Sequence, residues 1–176
     1  MSEPERLSDL NLLTPPTRTR AVQLEERAGD AGIPIKVIET LRRRARQAWL
    51  YTAGRTREGK IVTNAKPGYG WHEYSRAFDV VILDAAGKAW WDAPREQWDR
   101  IGAIGERLGL SWGGRFRFAD LGHFEYTRLD YADALKLELF ERLLAAPPSS
   151  GLEADGMFEE AKTLIALIEA GAELPA

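Results

Sequence analysis

The sequence predicts an α+β fold in which a small antiparallel sheet packs against helices. Three observations carry this expectation. The runs "IPIKVIET" and "FDVVIL" are short, rich in β-branched residues and far apart. "DAAG", between "FDVVIL" and "KAWW", has the composition of a hairpin turn. The helical stretches between these runs follow no β-α-β rhythm, so a parallel sheet is not indicated. With 176 residues, 44% of them hydrophobic and 29% charged, the chain suits one packed domain with an appended segment.

The elements follow in order. After a short lead-in, "TPPTRTRAVQLEERAGDAG" predicts a helix with Thr17 as N-cap and Ala21, Leu24 and Ala28 on its apolar face. Gly29 and Gly32 close it. A strand spans Ile35 to Glu39. "RRRARQAWLYTAG" reads as a helix ending at Gly54, and its arginines, in "LRRRAR", as a charged helix face. "RTREGKIVTNAKPGYG" is a long loop with a brief extended "KIVT". The hairpin follows, then a helix in "PREQWDRIGAIGERLG" with Trp98, Ile101, Ile104 and Leu108 on one face. "LSWGGRFRFADLGHFEYTR" is a glycine loop leading into an extended piece. "DYADALKLELFERLLAA" is a further helix, broken by "PPSSG", and Phe158 to Ala170 form a last amphipathic one. The expected organisation is a domain over 1–148 and a helical tail over 149–176 packed on it.

Composition excludes several classes of function. The chain has no cysteine, so disulfides and thiolate metal sites are ruled out. A net charge of −3 gives no basic surplus for nucleic acid. "MSEPERLSDLNLLTPP" lacks a basic start followed by an apolar core, so no signal peptide is expected. No apolar run approaches the ~20 residues of a membrane helix, so no membrane anchor is expected. Neither phosphate-binding glycine motif is present.

The chemistry concentrates around the two histidines. His72 lies in "GYGWHEYSRAFD" and His123 in "FADLGHFEY". Asp79 stands between Phe78 and Val80 in a run that should be buried, and a buried carboxylate calls for a cation or several donors. His72, Asp79, Asp120 and His123 are the residue types a hydrolytic zinc site uses: three N/O ligands, an open position for water and a nearby base. The spacings H-x6-D and D-x-x-H are short, and by themselves leave an ordinary structural role open for each residue. Glu125, two residues beyond His123 on an extended piece, would share its face and orient the imidazole or make a surface ion pair. Trp112, before Gly113 and Gly114, reads as a packing anchor or a wall of a groove.

The surrounding blocks decide more. "RQAWLYTAGRTREGKIVTNAKPGYGWHEYSRAFDVVI" and "WGGRFRFADLGHFE" resemble the zinc peptidases that cut peptidoglycan stem peptides. That family includes the L-alanyl-D-glutamate endopeptidases of phages and bacilli and the D-alanyl-D-alanine carboxypeptidases of vancomycin resistance. Its S-x-H-x-x-G-x-A-x-D and D/E-x-x-H segments appear here as "GWHEYSRAFD" and "DLGH". The resemblance runs from Ile35 to Glu125 and favours the endopeptidase branch. It implies His72, Asp79 and His123 as Zn2+ ligands and Asp120 as the base that activates water and protonates the leaving amine. It implies Arg42, with Gln47 as partner, facing a substrate carboxylate or carbonyl. Together with the absence of a signal peptide, the resemblance suggests a phage endolysin acting on the stem peptide, held in the host cytoplasm until lysis and reaching the wall through a holin-type pore; a monomer is expected. A carboxypeptidase or a non-catalytic wall-binding module is the alternative.

The sequence departs from the family pattern at Gly70, where Ser is usual, at Ser75, where Gly is usual, and at Arg43, where Ser is common. Ser75 would either supply the missing hydroxyl to substrate or tolerate a backbone conformation suited to glycine.

Overall fold

A computed structural model describes residues 2–127, and the chain divides into compact units at Thr127/Arg128. The two C-terminal helices expected from sequence, and the boundary at 148, lie outside the described residues. The elements are α1 (Pro15–Asp30), β1 (Ile35–Glu39), α2 (Arg44–Thr52), β2 (Ala77–Leu83), β3 (Ala89–Trp90), α3 (Arg95–Arg107), β4 (Ser111–Trp112) and β5 (His123–Glu125). Single 3-10 turns lie at Leu10–Leu12, Trp71–Tyr74 and Gly113–Arg115. The fold is α+β, as expected.

All strand pairs are antiparallel, in the order β1-β2-β5-β4, and β3 meets the far end of β2. β2 is the organising strand. Its Phe78, Val80 and Ile82 face the core with Phe124 of β5 and Val37 and Ile35 of β1. Phe78 and Phe124 stack with centroids 5.8 Å apart. α1 adds Ala21, Leu24 and Ala28, and α3 adds Trp98, Ile101 and Ile104. Each large side chain buried here contributes about 1.5–3 kcal/mol. The period of two in a strand then sends Asp79 to the opposite face. Its neighbours across the sheet are Glu39 on β1 and His123 on β5. A cross-strand row thus holds two carboxylates and an imidazole on the face away from α1 and α3.

α3 approaches the sheet closely because it has glycines where they meet. A Cβ at Gly102 would lie 2.2 Å from the Trp112 ring, and one at Gly105 2.5 Å from Phe124. Trp112 is 1% exposed and donates its indole N–H to Leu121 O at 2.9 Å.

Two helix starts differ from expectation. α1 begins at Pro15, not after Thr17, because proline suits the first helical position and fixes φ there. Thr17 is buried, its hydroxyl 2.8 Å from that of Thr14. α2 begins at Arg44, so Arg42 lies in the bend before it, with its N–H on His72 O. The charged face expected of "LRRRAR" is only partly realised: Arg43 and Arg44 are exposed, but Arg46 is buried.

Ser75 is the one non-glycine residue with positive φ among the described residues, at φ 58° and ψ 25°. It ends the Trp71–Tyr74 turn and is 2% exposed. Its hydroxyl has no hydrogen-bond partner and does not line the groove described below. The expectation that it contacts substrate is therefore corrected. Glycine at 75 would relieve a left-handed strain of about 1–2 kcal/mol and an orphaned buried hydroxyl, against a backbone-entropy cost of about 0.5–1 kcal/mol. Ser75→Gly is expected to raise stability by about 1 kcal/mol, read as a higher urea midpoint at unchanged slope.

Candidate metal centre

His72, Asp79 and His123 converge, each offering a ligand atom within 4.8 Å of the others. Asp79 Oδ1 is the meeting point, 3.1 Å from His72 Nε2 and 3.0 Å from His123 Nδ1. The surroundings fix which nitrogen of each ring faces inward. His72 Nδ1 lies 2.7 Å from Thr40 O, an acceptor, so it carries the proton and leaves Nε2 for the centre. His123 Nε2 lies 3.1 Å from Glu125 Oε2, leaving Nδ1 inward. Glu125 thus stands where the period of two placed it, as the acceptor that orients an imidazole. The donor set is two nitrogens and a carboxylate with no sulfur, in a geometry with room for a further ligand on the groove side. These residues fit a zinc ion.

Burial alone would raise the Asp79 pKa, but His72 and His123, by charge and hydrogen bond, outweigh it and hold the carboxyl well below its usual range. Burial would likewise lower His123, yet its bonds to Asp79 and Glu125 push it up to about 10. A metal entering at neutral pH must therefore displace the His123 proton. Zinc added to the metal-free protein near pH 7 is expected to release roughly one proton per ion, measurable in weakly buffered solution.

Asp79 Oδ2 is held from behind. Arg42 donates to it at 3.1 Å, to Glu39 at 2.7 and 3.1 Å, and to Gln47 Oε1 at 3.1 Å. Gln47 in turn donates to Ala65 O at 2.7 Å. The pairing of Arg42 with Gln47 is present. The guanidinium, however, is spent on Glu39, Asp79 and Gln47 instead of presenting a free fork to the groove.

Asp120 lines the same groove and is exposed. Its backbone is fixed by N–H to Gly113 O at 3.0 Å, and its own carbonyl accepts from His123 N–H at 3.3 Å. A Cβ at Gly113 would lie 2.5 Å from that carbonyl, so the "DLGH" turn rests on a glycine. Desolvation and the Asp79 charge push the Asp120 carboxyl above its usual range, the direction a base requires. Trp112, buried behind Gly114, is a packing anchor and not a groove wall.

Sequence reasoning passed over Glu73. Its buried carboxylate accepts from Gly68 N–H at 2.8 Å and Gly70 N–H at 3.3 Å, clamping the loop that carries His72. Gly70 itself has an extended φ of −105°. A Cβ there would meet only ordinary contacts, 3.6 Å from Glu73 Oε2 and 3.7 Å from Gln47 Oε1. Serine would fit at this position.

The groove encloses about 1000 Å³. Its rim carries Ile61, Val62, Tyr69, Trp91, Phe116 and Phe118, all exposed. An apolar rim around a polar centre is the usual build of a binding site.

Comparison with known proteins gives the chain's relatives. Residues 63–126 match the profile of an M15 peptidase family described as D-alanyl-D-alanine carboxypeptidase. The chain is 33% identical over 121 residues to the peptidoglycan L-alanyl-D-glutamate endopeptidase CwlK of Bacillus subtilis, covering 64% of this chain and 72% of that one. Among solved structures, the LD-carboxypeptidase LdcB is matched with TM-score 0.50 and 20% identity over 78% of this chain and 75% of that one. The L,D-carboxypeptidase DacB of Streptococcus pneumoniae is matched with TM-score 0.50 and 19% identity over 81% and 76%. These two likenesses concern the fold.

Proposed function

This chain belongs to the M15 family of peptidases, and from that premise we propose that it is a zinc-dependent endopeptidase cutting the L-alanyl-D-glutamate bond of peptidoglycan stem peptides. The observation that carries the reading is the convergence of His72, Asp79 and His123 on one point in an open groove. A zinc ion bound there supplies a Lewis acid and lowers the pKa of water. Thr40 and Glu125 hold the two imidazoles in the ligating tautomers. Asp120 takes the proton of the attacking water on its carboxylate and returns it to the leaving amine.

The 33% identity to an L-alanyl-D-glutamate endopeptidase supports this reading over a carboxypeptidase. Arg42 is bound by Glu39, Asp79 and Gln47, so a terminal carboxylate would have to use Arg6 or Arg117, which line the same groove. Digestion of purified muropeptides, followed by mass spectrometry, tests the assignment. Products split between L-alanine and D-glutamate are expected, whereas loss of a single terminal alanine would establish the carboxypeptidase. Exhaustive chelation should abolish cleavage and added zinc should restore it; activity that survives chelation ends the zinc reading. A protein that binds cell walls without zinc or turnover would be a binding module.

The biological role we propose is host lysis as a phage endolysin, monomeric and reaching the wall through a holin-type pore. The support is the resemblance of the "LYTAGRT" and "IVTNAKPG" blocks to the endopeptidase branch, which includes phage enzymes. Expression in a bacterial host should lyse cells only when a pore-forming protein is co-expressed. Lysis without the pore, or none with it, overturns this role.

A further inference from the structure

The segment before α1 is tied to buried polar groups that lead directly to the metal centre. Leu7 O accepts the Thr40 N–H at 2.7 Å, and the Thr40 hydroxyl lies 3.2 Å from Leu7 O and 3.1 Å from Asp9 O. The carbonyl of that same Thr40 holds His72 Nδ1 at 2.7 Å. A second arm starts at Glu3 and Pro4, whose Oε1 and O accept from one terminal nitrogen of Arg46 at 2.7 and 2.8 Å. Arg46 Nε donates to Glu39 Oε1 at 2.6 Å. Glu39 accepts from Arg42, and Arg42 from there reaches Asp79 Oδ2 at 3.1 Å.

Thr40 is fully buried, Arg46 is 1% exposed and Glu39 3%. The segment outside them is mostly at the surface: Glu3, Glu5, Arg6, Ser8 and Asp9 are exposed. Little apolar burial explains its position. Its attachments are acceptors given to buried donors, which would otherwise lose partners in a medium where that is costly. Arg46 already has one terminal nitrogen unpaired.

We propose that residues 3–9 are a positioning strap for the metal centre, with Glu3 and Thr40 as its working contacts. One arm sets the tautomer and angle of His72, and the other sets, through Arg46, Glu39 and Arg42, the carboxylate plane of Asp79. Two of the three candidate ligands are thereby held from a segment that touches neither. The inference rests on the zinc reading above, and groups that hold a ligand from behind typically change metal affinity by about 10–100-fold.

The test uses the full-length chain and measures zinc affinity by competition with a chromophoric chelator, beside the melting temperature of the metal-free protein. Thr40→Val is expected to weaken zinc binding by about tenfold, the low end of what a direct partner of a ligand contributes. Glu3→Ala, which reaches Asp79 only through Arg46, Glu39 and Arg42, should weaken it measurably but less, and the double variant more than either. Glu5→Ala, in the same strap with an exposed side chain, should bind like wild type. Unchanged affinity in Glu3→Ala, even with a lowered melting temperature, overturns the strap. If Thr40→Val does not fold, Glu3→Ala and Glu3→Gln decide between them. Wild-type protein that binds no zinc would instead end the metal reading, so the two failures are distinguishable.

Discussion

Asp120→Ala is expected to keep the fold and bound zinc while losing about 100- to 10,000-fold in kcat, the range a general base contributes. The fold should survive because the structural work at this position is done by the backbone. Its N–H bonds Gly113 O, and its carbonyl holds the His123 N–H. The residue is exposed at the groove, and its carboxylate has no hydrogen bond among the described residues. Zinc should remain because the converging ligands are His72, Asp79 and His123. His123→Ala is the contrast: it removes a ligand, so metal and activity should fall together. The readouts are zinc per chain by elemental analysis and single-substrate kinetics on a muropeptide. Loss of kcat with little change in KM would mark a transition-state role. An Asp120→Ala enzyme within threefold of wild type would remove Asp120 from the base role. One that loses its zinc would make Asp120 a ligand.

The parts of the site readable in the sequence were those where local chemistry conflicts with local pattern. Asp79 in an apolar strand calls for a cation or several donors, and it meets the Arg42 guanidinium together with the imidazoles of His72 and His123. Glu125 followed from the period of two, because β5 is a regular strand. Ser75 stands where the family pattern has glycine, and its φ of 58° lies in the left-handed region that glycine favours. Glu39 and Arg46 were not legible. Three successive arginines look like a solvated face, and nothing local says that the helix starts two residues late and turns Arg46 inward. Trp112 was undecidable for a related reason. Whether an indole lines a groove or fills a core depends on Gly102 and Gly114, which clear space for it from separate elements. Thr14, not Thr17, is the residue before α1; both are threonines of the type that caps helices, and only the prolines at the first helical positions distinguish them. Backbone register and local propensity are carried in short stretches; charge networks between β1, α2 and the lead-in are not.

Glu39→Gln should be the most damaging polar substitution to stability, at about 3–5 kcal/mol. That is a large part of the roughly 5–15 kcal/mol that holds an ordinary domain together. Glu39 accepts from Arg42 and Arg46, and neither guanidinium is well exposed: side-chain exposures are 12% and 1%. Glutamine keeps one acceptor but removes the charge, leaving the desolvated Arg42 with Asp79 as its one carboxylate and Arg46 with only the half-exposed Glu3. Burial would raise the Glu39 pKa, but the two arginines hold it below its usual value. A lowered folded pKa means that this contribution is complete above the unfolded value of about 4.3 and is lost as pH falls through the folded one. The gap between wild type and variant should therefore be full at pH 7 and shrink below about pH 4. Urea unfolding at both pH values measures it. Arg46→Met should also destabilise, and the double variant less than the sum, because each single change strands the other's charge. A loss under about 1 kcal/mol at pH 7 would mean that the network is relaxed by water and contributes little. The consequence reaches the metal centre as well. Arg42, released from Glu39, would turn its full charge on Asp79 Oδ2 and compete with a cation for the same carboxylate. Zinc affinity in Glu39→Gln should fall even in conditions where the protein stays folded.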